Sequence, residues 1–339
     1  MQINILSLTV KNCGALKDVK IEFTDNGQPE SVIVLGGANG SGKTTALELI
    51  FALLALFKIQ DTRLITTQGG LFKAIQNILM YTEYAELELL IDGKKTSVFF
   101  DNPPILTEAI SQGNKHGIVL NRVNHDWGLQ CSDMSQHLYD SIRLNEEQPI
   151  NLSSNKPNIF PSILYFPHHR ELLPVTGEQI HREEVKYQWC YRYQNHSSFL
   201  GSLESYLIWL DYAEPEIFQF VIDMLNQLNF EGKTFSIHRK TLSVKVKTRD
   251  GSTHAFNQLS SGEQNLLILL LELRRRLIPG SVVLLDEIEN SLHPAFQHRL
   301  AQNLLQLQRQ IPFQLIVTTH QPTFLKIFGE KGTRILTEF

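Results

Sequence analysis

Gly37-Ala38-Asn39-Gly40-Ser41-Gly42-Lys43-Thr44 follows the spacing G-x-x-x-x-G-K-[ST]. The chemistry that needs this spacing is polyphosphate binding. A triphosphate presents several oxygens in a small arc. Backbone freed by glycine can wrap that arc with its N–H groups turned inward. Lys43 has the reach for the β- and γ-phosphates, and the Thr44 hydroxyl is placed to bind Mg²⁺. Thr44 and Thr45 then enter a helical pattern, whose N-terminal dipole end adds to the same positive field.

Two more clusters could act on the same ligand. Leu259-Ser260-Ser261-Gly262-Glu263-Gln264 opens a long apolar helix. Ser260 and the Gly262 N–H at such a helix start favour an anion by about 0.3–1 kcal/mol. The same residues also suit a plain capping box, with Ser260 or Ser261 as cap and Glu263 or Gln264 reaching back. Val282-Val283-Leu284-Leu285-Asp286-Glu287 is an apolar strand carrying two acids at its C-terminal edge, where open α/β sheets bind ligands. A solvated turn is the simpler account of two adjacent acids.

Taken together, the motifs resemble those of ABC ATPases in the SMC-, RecF- and OLD-like, non-transporter branch. The resemblance covers roughly 3–84 and 242–336. It makes the phosphate loop a Walker A motif, Leu259–Gln264 the ABC signature and Val282–Glu287 Walker B. It implies that Asp286 holds Mg²⁺ with Thr44 and that Glu287 orients and deprotonates the attacking water. Ile288-Glu289-Asn290-Ser291-Leu292-His293-Pro294 resembles the D-loop. His320, after Thr318-Thr319, resembles the switch histidine that senses the γ-phosphate. Transporters more often carry glycine where this chain has Ser261 and proline where it has Ile288. The resemblance further implies that Ser260, Ser261, Gly262 and Glu263 of one copy cover the ATP of a twin, in a head-to-tail homodimer that closes on ATP and opens on hydrolysis.

One expected part is missing. ABC ATPases place a glutamine at a strand end between Walker A and the signature. The best-placed strand here, 162–166, is followed by Pro167-His168-His169-Arg170-Glu171. His169 or Arg170 is therefore expected near the γ-phosphate, or alternatively against a neighbouring carboxylate. Gln60, Gln68 and Gln76 lie on less suitable segments.

These residues need a scaffold, and the hydrophobic pattern supplies one. Alternating residues predict strands over 3–10 and 17–23 with a turn at 12–15, and a hairpin over 84–90 and 96–100 about Asp92-Gly93. The short apolar run 31–35 reads as a buried parallel strand, followed by the Gly-rich loop and a helix over 43–57. Between 103 and 161 no period survives, which reads as an insertion with much loop. Helical spacing over 203–228 is split at Pro215. Alternation returns over 242–247 and 253–256. Helix 263–277, strand 281–285, helix 294–310 and strand 314–318 give a βαβ rhythm and a parallel sheet.

The expectation is an α/β P-loop NTPase, an ABC ATPase head with a mixed β-sheet and a partly helical insertion. Residues 1–102 and 241–339 form the two parts of the head, and 103–240 is an insertion or lid with a return strand near 162–166. The 339 residues are 42% hydrophobic and 19% charged, with a formal net charge of −4. That balance excludes a globally basic nucleic-acid binder, although a local basic groove stays open. Arg274-Arg275-Arg276 at a helix C-terminus suits the dipole better than DNA. Three scattered cysteines, Cys13, Cys131 and Cys190, indicate neither a disulfide framework nor a zinc site and fit a reducing cytoplasm. No signal peptide or membrane span is expected. The chain ends soon after His320, so no OLD-type nuclease domain is expected behind it. The branch resemblance points to regulation of a separate effector, a nuclease or toxin of a prokaryotic defence module. The alternatives are a DNA-repair or chromosome-maintenance ATPase on duplex DNA and, third, a transporter motor. Oligomers larger than a dimer are left open.

Overall fold

The computed structural model describes residues 1–59, 71–101, 117–123, 126–146, 148–150, 160–227, 232–329 and 332–336. The N-terminal alternation becomes β1 (Ile3–Cys13) and β2 (Leu16–Glu22). A short ribbon of β3 (Thr24–Asp25) and β4 (Gln28–Pro29) leads to β5 (Val32–Gly37). Helix α1 (Lys43–Ala55) tightens into a single 3₁₀ turn over Leu56–Lys58. Then come α2 (Leu71–Met80) and the hairpin β6 (Thr82–Ile91) and β7 (Lys94–Phe100). Asp92 and Gly93 both take positive φ there, as the tight hairpin turn demands.

The stretch expected to be an insertion rich in loop instead holds β8 (Gly117–Val123), β9 (Asp126–Cys131) and α3 (Asp133–Asn145). Strand β8 has no period because Gly-Ile-Val-Leu is a continuous apolar run, whereas the short β9 alternates. After them come β10 (Ile163–Phe166), β11 (Cys190–Arg192), α4 (Leu203–Ala213) and α5 (Pro215–Gln227). Pro215 opens α5, where its missing N–H costs nothing. The expected helical end at Leu228 lies outside the described residues.

Strand β12 (Thr234–His238), absent from the sequence reading, precedes β13 (Ser243–Lys247) and β14 (Thr253–Ala255). Then follow α6 (Ser261–Arg276), β15 (Val282–Leu285), α7 (Pro294–Gln310), β16 (Gln314–Thr318), α8 (Pro322–Phe328) and β17 (Thr333–Leu336).

The α/β architecture with mixed β-sheet expected from sequence is present, and its strands are divided between two six-stranded sheets and smaller pieces. One sheet runs β2-β1-β6-β7-β8-β9 and is antiparallel apart from the β7–β8 pair. The other runs β11-β10-β15-β16-β5-β17 and is parallel throughout. Residues 103–240 therefore contribute strands to both sheets as well as helices. A separate antiparallel piece joins β12, β13 and β14.

Period-two geometry divides the parallel strands between two cores. Ile33, Leu35, Ile163, Tyr165, Val282 and Leu284 face α1 and the antiparallel sheet. Val34, Leu164, Phe166, Val283 and Leu285 face α4, α6 and α7. Both faces are covered, which is why these strands read as continuous apolar runs. Helix α1 is buried almost all round, as a helix apolar on every side must be.

Candidate nucleotide-binding site

Strands β10, β15, β16 and β5 are parallel neighbours, so their C-terminal ends open on one edge. The phosphate loop leaves β5 there, Asp286 and Glu287 leave β15, and Thr318, Thr319 and His320 end β16. The loop is built as its glycines suggest. Gly42 takes φ 89° before α1, and a Cβ there would come within 2.6 Å of Leu16. Lys43 is buried and folds its ammonium onto the Gly37 and Ala38 carbonyls at 2.9 and 2.7 Å. The Ser41 hydroxyl is buried with no hydrogen-bond partner. Ala38, Asn39 and Gly40 form the exposed rim, and Thr45 packs towards the turn at Gly14. A loop bent at the positive-φ Gly37, Gly40 and Gly42 around an orphaned hydroxyl is fitted to phosphate oxygens.

The Asp286 side chain is 0% exposed. It accepts from the Thr44 hydroxyl at 3.0 Å on each oxygen and from the Thr318 hydroxyl at 2.7 Å. Among the described residues no lysine or arginine pairs with its carboxylate, and His168 Nδ1 lies 3.5 Å from Oδ2. A buried carboxylate costs several kcal/mol unless it is paired, and the Arg170 guanidinium bonds the Asp286 carbonyl rather than its carboxylate. A hard divalent cation on Asp286 and Thr44 answers that cost with oxygen donors, so the residues present fit Mg²⁺.

Glu287 is held in an uncommon backbone conformation, φ 43°, with its N–H donated to the Thr318 hydroxyl at 2.7 Å. A non-glycine residue in that region costs about 1–3 kcal/mol and persists where neighbours over-determine it. Here the neighbour is Arg170. Its guanidinium is buried and donates to Asn265 Oδ1 (2.6 Å) and to the carbonyls of Phe166, Pro167, Asp286 and Glu287. Burial lowers this group to about 10, with Asp286 opposing the shift. Arg170 thus spends its donors on backbone behind the two acids and on the signature helix. His169 turns to Glu171, with Nε2 3.6 Å from the carboxylate. Gln60 and Gln68 lie outside the described residues, and Gln76 sits within α2 rather than at a strand end.

His320 meets a partner the sequence reading passed over. Glu289, buried, accepts from both the ring Nδ1 (2.7 Å) and the backbone N–H (2.8 Å) of His320. That contact assigns a proton to Nδ1, on a ring that is otherwise half-exposed. The only sequence signal was the third acid of Asp286-Glu287-Ile288-Glu289.

The signature helix begins at Ser260, which caps α6. Its hydroxyl accepts from the Glu263 N–H and donates to Glu263 Oε2 at 2.8 Å, and Glu263 Oε2 accepts from the Ser260 N–H. Lys233 pairs with the other Glu263 oxygen at 2.6 Å. The capping box weighed as the plain account is therefore present, and Glu263 acts within the chain. Ser260 and Ser261 are exposed. Gly262 is buried so close to Ser291 that a Cβ would lie 2.5 Å from its carbonyl oxygen. A cavity of about 260 Å³ separates this end of α6 from the 168–170 segment, lined by His168, Arg170, Ser261, Asn265, Asn290 and Ser291.

At the far end of α6, Arg275 and Arg276 both pair with the buried Glu272, at 2.5 and 2.8 Å. Arg274 lies over Phe220. No helix among the described residues is long and apolar enough to cross a membrane.

The sequence family described as "AAA domain, putative AbiEii toxin, Type IV TA system" matches residues 91–326. A retron Vc95 probable ATPase of Vibrio cholerae is 26% identical over 51% of this chain, and a retron Ec83 probable ATPase of Escherichia coli is 41% identical over 19%. The chain spans 38% and 14% of those relatives' lengths. Among solved structures, the SMC head domain from Thermotoga maritima aligns over 96% of this chain and 92% of its own, at 15% identity and a TM-score of 0.46. A bacterial ABC transporter cassette, solved as a dimer, aligns over 99% and 95%, at 14% identity and a TM-score of 0.40.

Proposed function

The chain belongs to the AAA-domain family described as a putative AbiEii toxin of a type IV toxin–antitoxin system, it is a P-loop ATPase of the ABC/SMC-like kind, and on that premise we propose that two copies close head to tail over ATP. The observation that carries this reading is the contrast in exposure between the two anion-binding elements. Lys43, Ser41 and Asp286 are buried at the sheet edge, while Ser260 and Ser261 stand exposed at the start of α6. An exposed helix N-terminus can receive an anion that a second copy presents. A twofold arrangement uses it twice and leaves nothing unpaired.

The roles then follow from chemistry. Lys43, the loop N–H groups and Ser41 bind the phosphates. Thr44 and Asp286 hold Mg²⁺, which neutralises phosphate charge when bound. Glu287 orients the attacking water and takes its proton, a contribution of about 10²–10⁴-fold. His320 offers Nε2 to the γ-phosphate, its ring fixed by Glu289. Arg170 positions the backbone of both acids. Ser260, Ser261 and Gly262 cover the twin's nucleotide, the Ser260 hydroxyl turning from Glu263 to do so. The γ-phosphate is the part that differs before and after hydrolysis, so it supplies the differential contact a switch requires.

The work driven by this switch is control of a separate effector, a nuclease or toxin of a prokaryotic defence module. The family's description and the retron relatives support that reading. Arg275 and Arg276 are engaged by Glu272, which weighs against the duplex-DNA alternative at that helix end. Salt-dependent DNA affinity with a non-hydrolysable ATP analogue would favour that alternative.

The shared site is tested by Ser260→Arg. The wild-type chain should sediment as a dimer with a non-hydrolysable ATP analogue, and the variant should bind the same analogue as a monomer. Nucleotide-dependent dimers of the variant would refute the shared site.

A further inference from the structure

No glutamine occupies the strand end beside the acids, yet an imidazole does. We propose that His168 supplies a nitrogen ligand to the divalent cation held by Asp286 and Thr44, and that the site therefore favours Mn²⁺ or a softer cation over Mg²⁺ more than an all-oxygen site would. The inference rests on the nucleotide-site reading above and adds a ligand to it.

Register places His168 there. Strands β10 and β15 are parallel neighbours with Phe166 opposite Leu285, and the Asp286 N–H donates to the Phe166 carbonyl at 2.9 Å. The residues just beyond each strand must emerge together. Pro167 limits the chain's freedom as it leaves β10. Backbone on both sides of His168 is then pinned: Arg170 holds the Phe166 and Pro167 carbonyls, and Asn290 Nδ2 donates to the His168 carbonyl at 2.8 Å. The side chain itself is 56% exposed, with Nδ1 turned to Asp286 Oδ2. The backbone thus fixes where His168 enters the site, and Nδ1 is already turned to the carboxylate that would share the cation.

The spacing of donors agrees. His168 Nδ1 stands 3.5 Å and Thr44 Oγ1 3.0 Å from the same Asp286 oxygen. Two ligands on one cation with bonds of about 2.1 Å lie roughly 3.0–3.5 Å apart, from octahedral to tetrahedral angles. Imidazole is a softer donor than carboxylate, hydroxyl or water, so its presence moves preference away from Mg²⁺. His169 is excluded by its turn towards Glu171. An imidazole placed only to neutralise Asp286 would be displaced when the cation arrives. One that joins the cation's shell would stay.

Pulsed electron paramagnetic resonance on Mn²⁺ reads this directly. The full chain is loaded with Mn²⁺ and the methylene-bridged ATP analogue, which has no bridging nitrogen. Labelling histidine with ¹⁵N separates imidazole from adenine nitrogen. The expected result is a directly bound histidine nitrogen that is lost in His168→Gln and kept in His169→Gln. In competition, His168→Gln should lower the Mn²⁺-over-Mg²⁺ preference by about tenfold, the scale on which supporting ligands tune metal affinity. Analogue-dependent Mn²⁺ without histidine nitrogen, or with nitrogen that survives His168→Gln, overturns the assignment of His168 and leaves the cation site standing. No analogue-dependent Mn²⁺ at all overturns the cation site and this inference with it.

Discussion

At the sheet edge the Ser41 hydroxyl is buried without a hydrogen-bond partner and the Asp286 carboxylate is buried on hydroxyl donors alone, whereas at the start of α6 Ser260 is exposed and already partnered by Glu263. The two elements handle an anion in opposite ways. The phosphate loop carries unsatisfied groups in the ligand-free chain, so nucleotide and cation relieve a cost the fold already bears. The signature end bears no such cost, because its capping box closes on itself. To reach a phosphate, the Ser260 hydroxyl must turn from Glu263. The first element is thus poised for ligand, and on the proposed reading the second waits for the nucleotide of a twin.

The comparison is broken or sharpened most strongly at Glu287. Glu287→Gln should slow phosphate release at least about a hundredfold while calorimetry finds nucleotide affinity retained. Hydrolysis near the wild-type rate would move the base elsewhere. Arg170→Met comes next. It frees the Asp286 and Glu287 carbonyls, and displacement of positioned groups by about 1 Å costs on the order of a hundredfold in turnover. The loss should fall on kcat rather than on nucleotide Kd. Arg170→Lys should not restore it, since an ammonium cannot span the planar fan of five acceptors.

A third test addresses the scaffold of α6 rather than its tip. Burial pushes Glu272 up, but Arg275 and Arg276 outweigh it and hold the carboxyl at about 2. Its folded value lies below the unfolded value of 4.5, so the stability it supplies is present above pH 4.5 and is lost as pH falls through about 2. Glu272→Gln should cost about 3–5 kcal/mol in urea unfolding at neutral pH and flatten that acid slope. An unchanged slope would place the titration on other groups. The smallest effect is expected at the cap. Ser260→Ala should lower stability by about 1 kcal/mol, read by thermal unfolding. No loss would mean that the capping box is not what holds the idle state.

Most of the scaffold was legible because its signals are local. Helix α7 and strand β16 begin and end as the pattern predicted, and Asp92-Gly93 marked its hairpin. Residues 117–145 were not legible, because a buried apolar run such as Gly117–Val123 has no alternation to reveal which sheet it joins. Strand β12 was missed because Thr-Phe-Ser-Ile-His is short and gains its partner only from β13.

The site divides in the same way. Phosphate loop, signature and acid pair could be read from residue types in a row, since each is one turn of chain with its own chemistry. What Arg170 grips, which residue orients His320 and which of two adjacent histidines meets Asp286 are contacts between segments far apart in sequence. Arg170 reaches the Asp286 carbonyl across 116 residues, and Glu289 reaches His320 across 31. Composition and spacing carry no record of strand register, and register alone decides which side chains leave the sheet edge together.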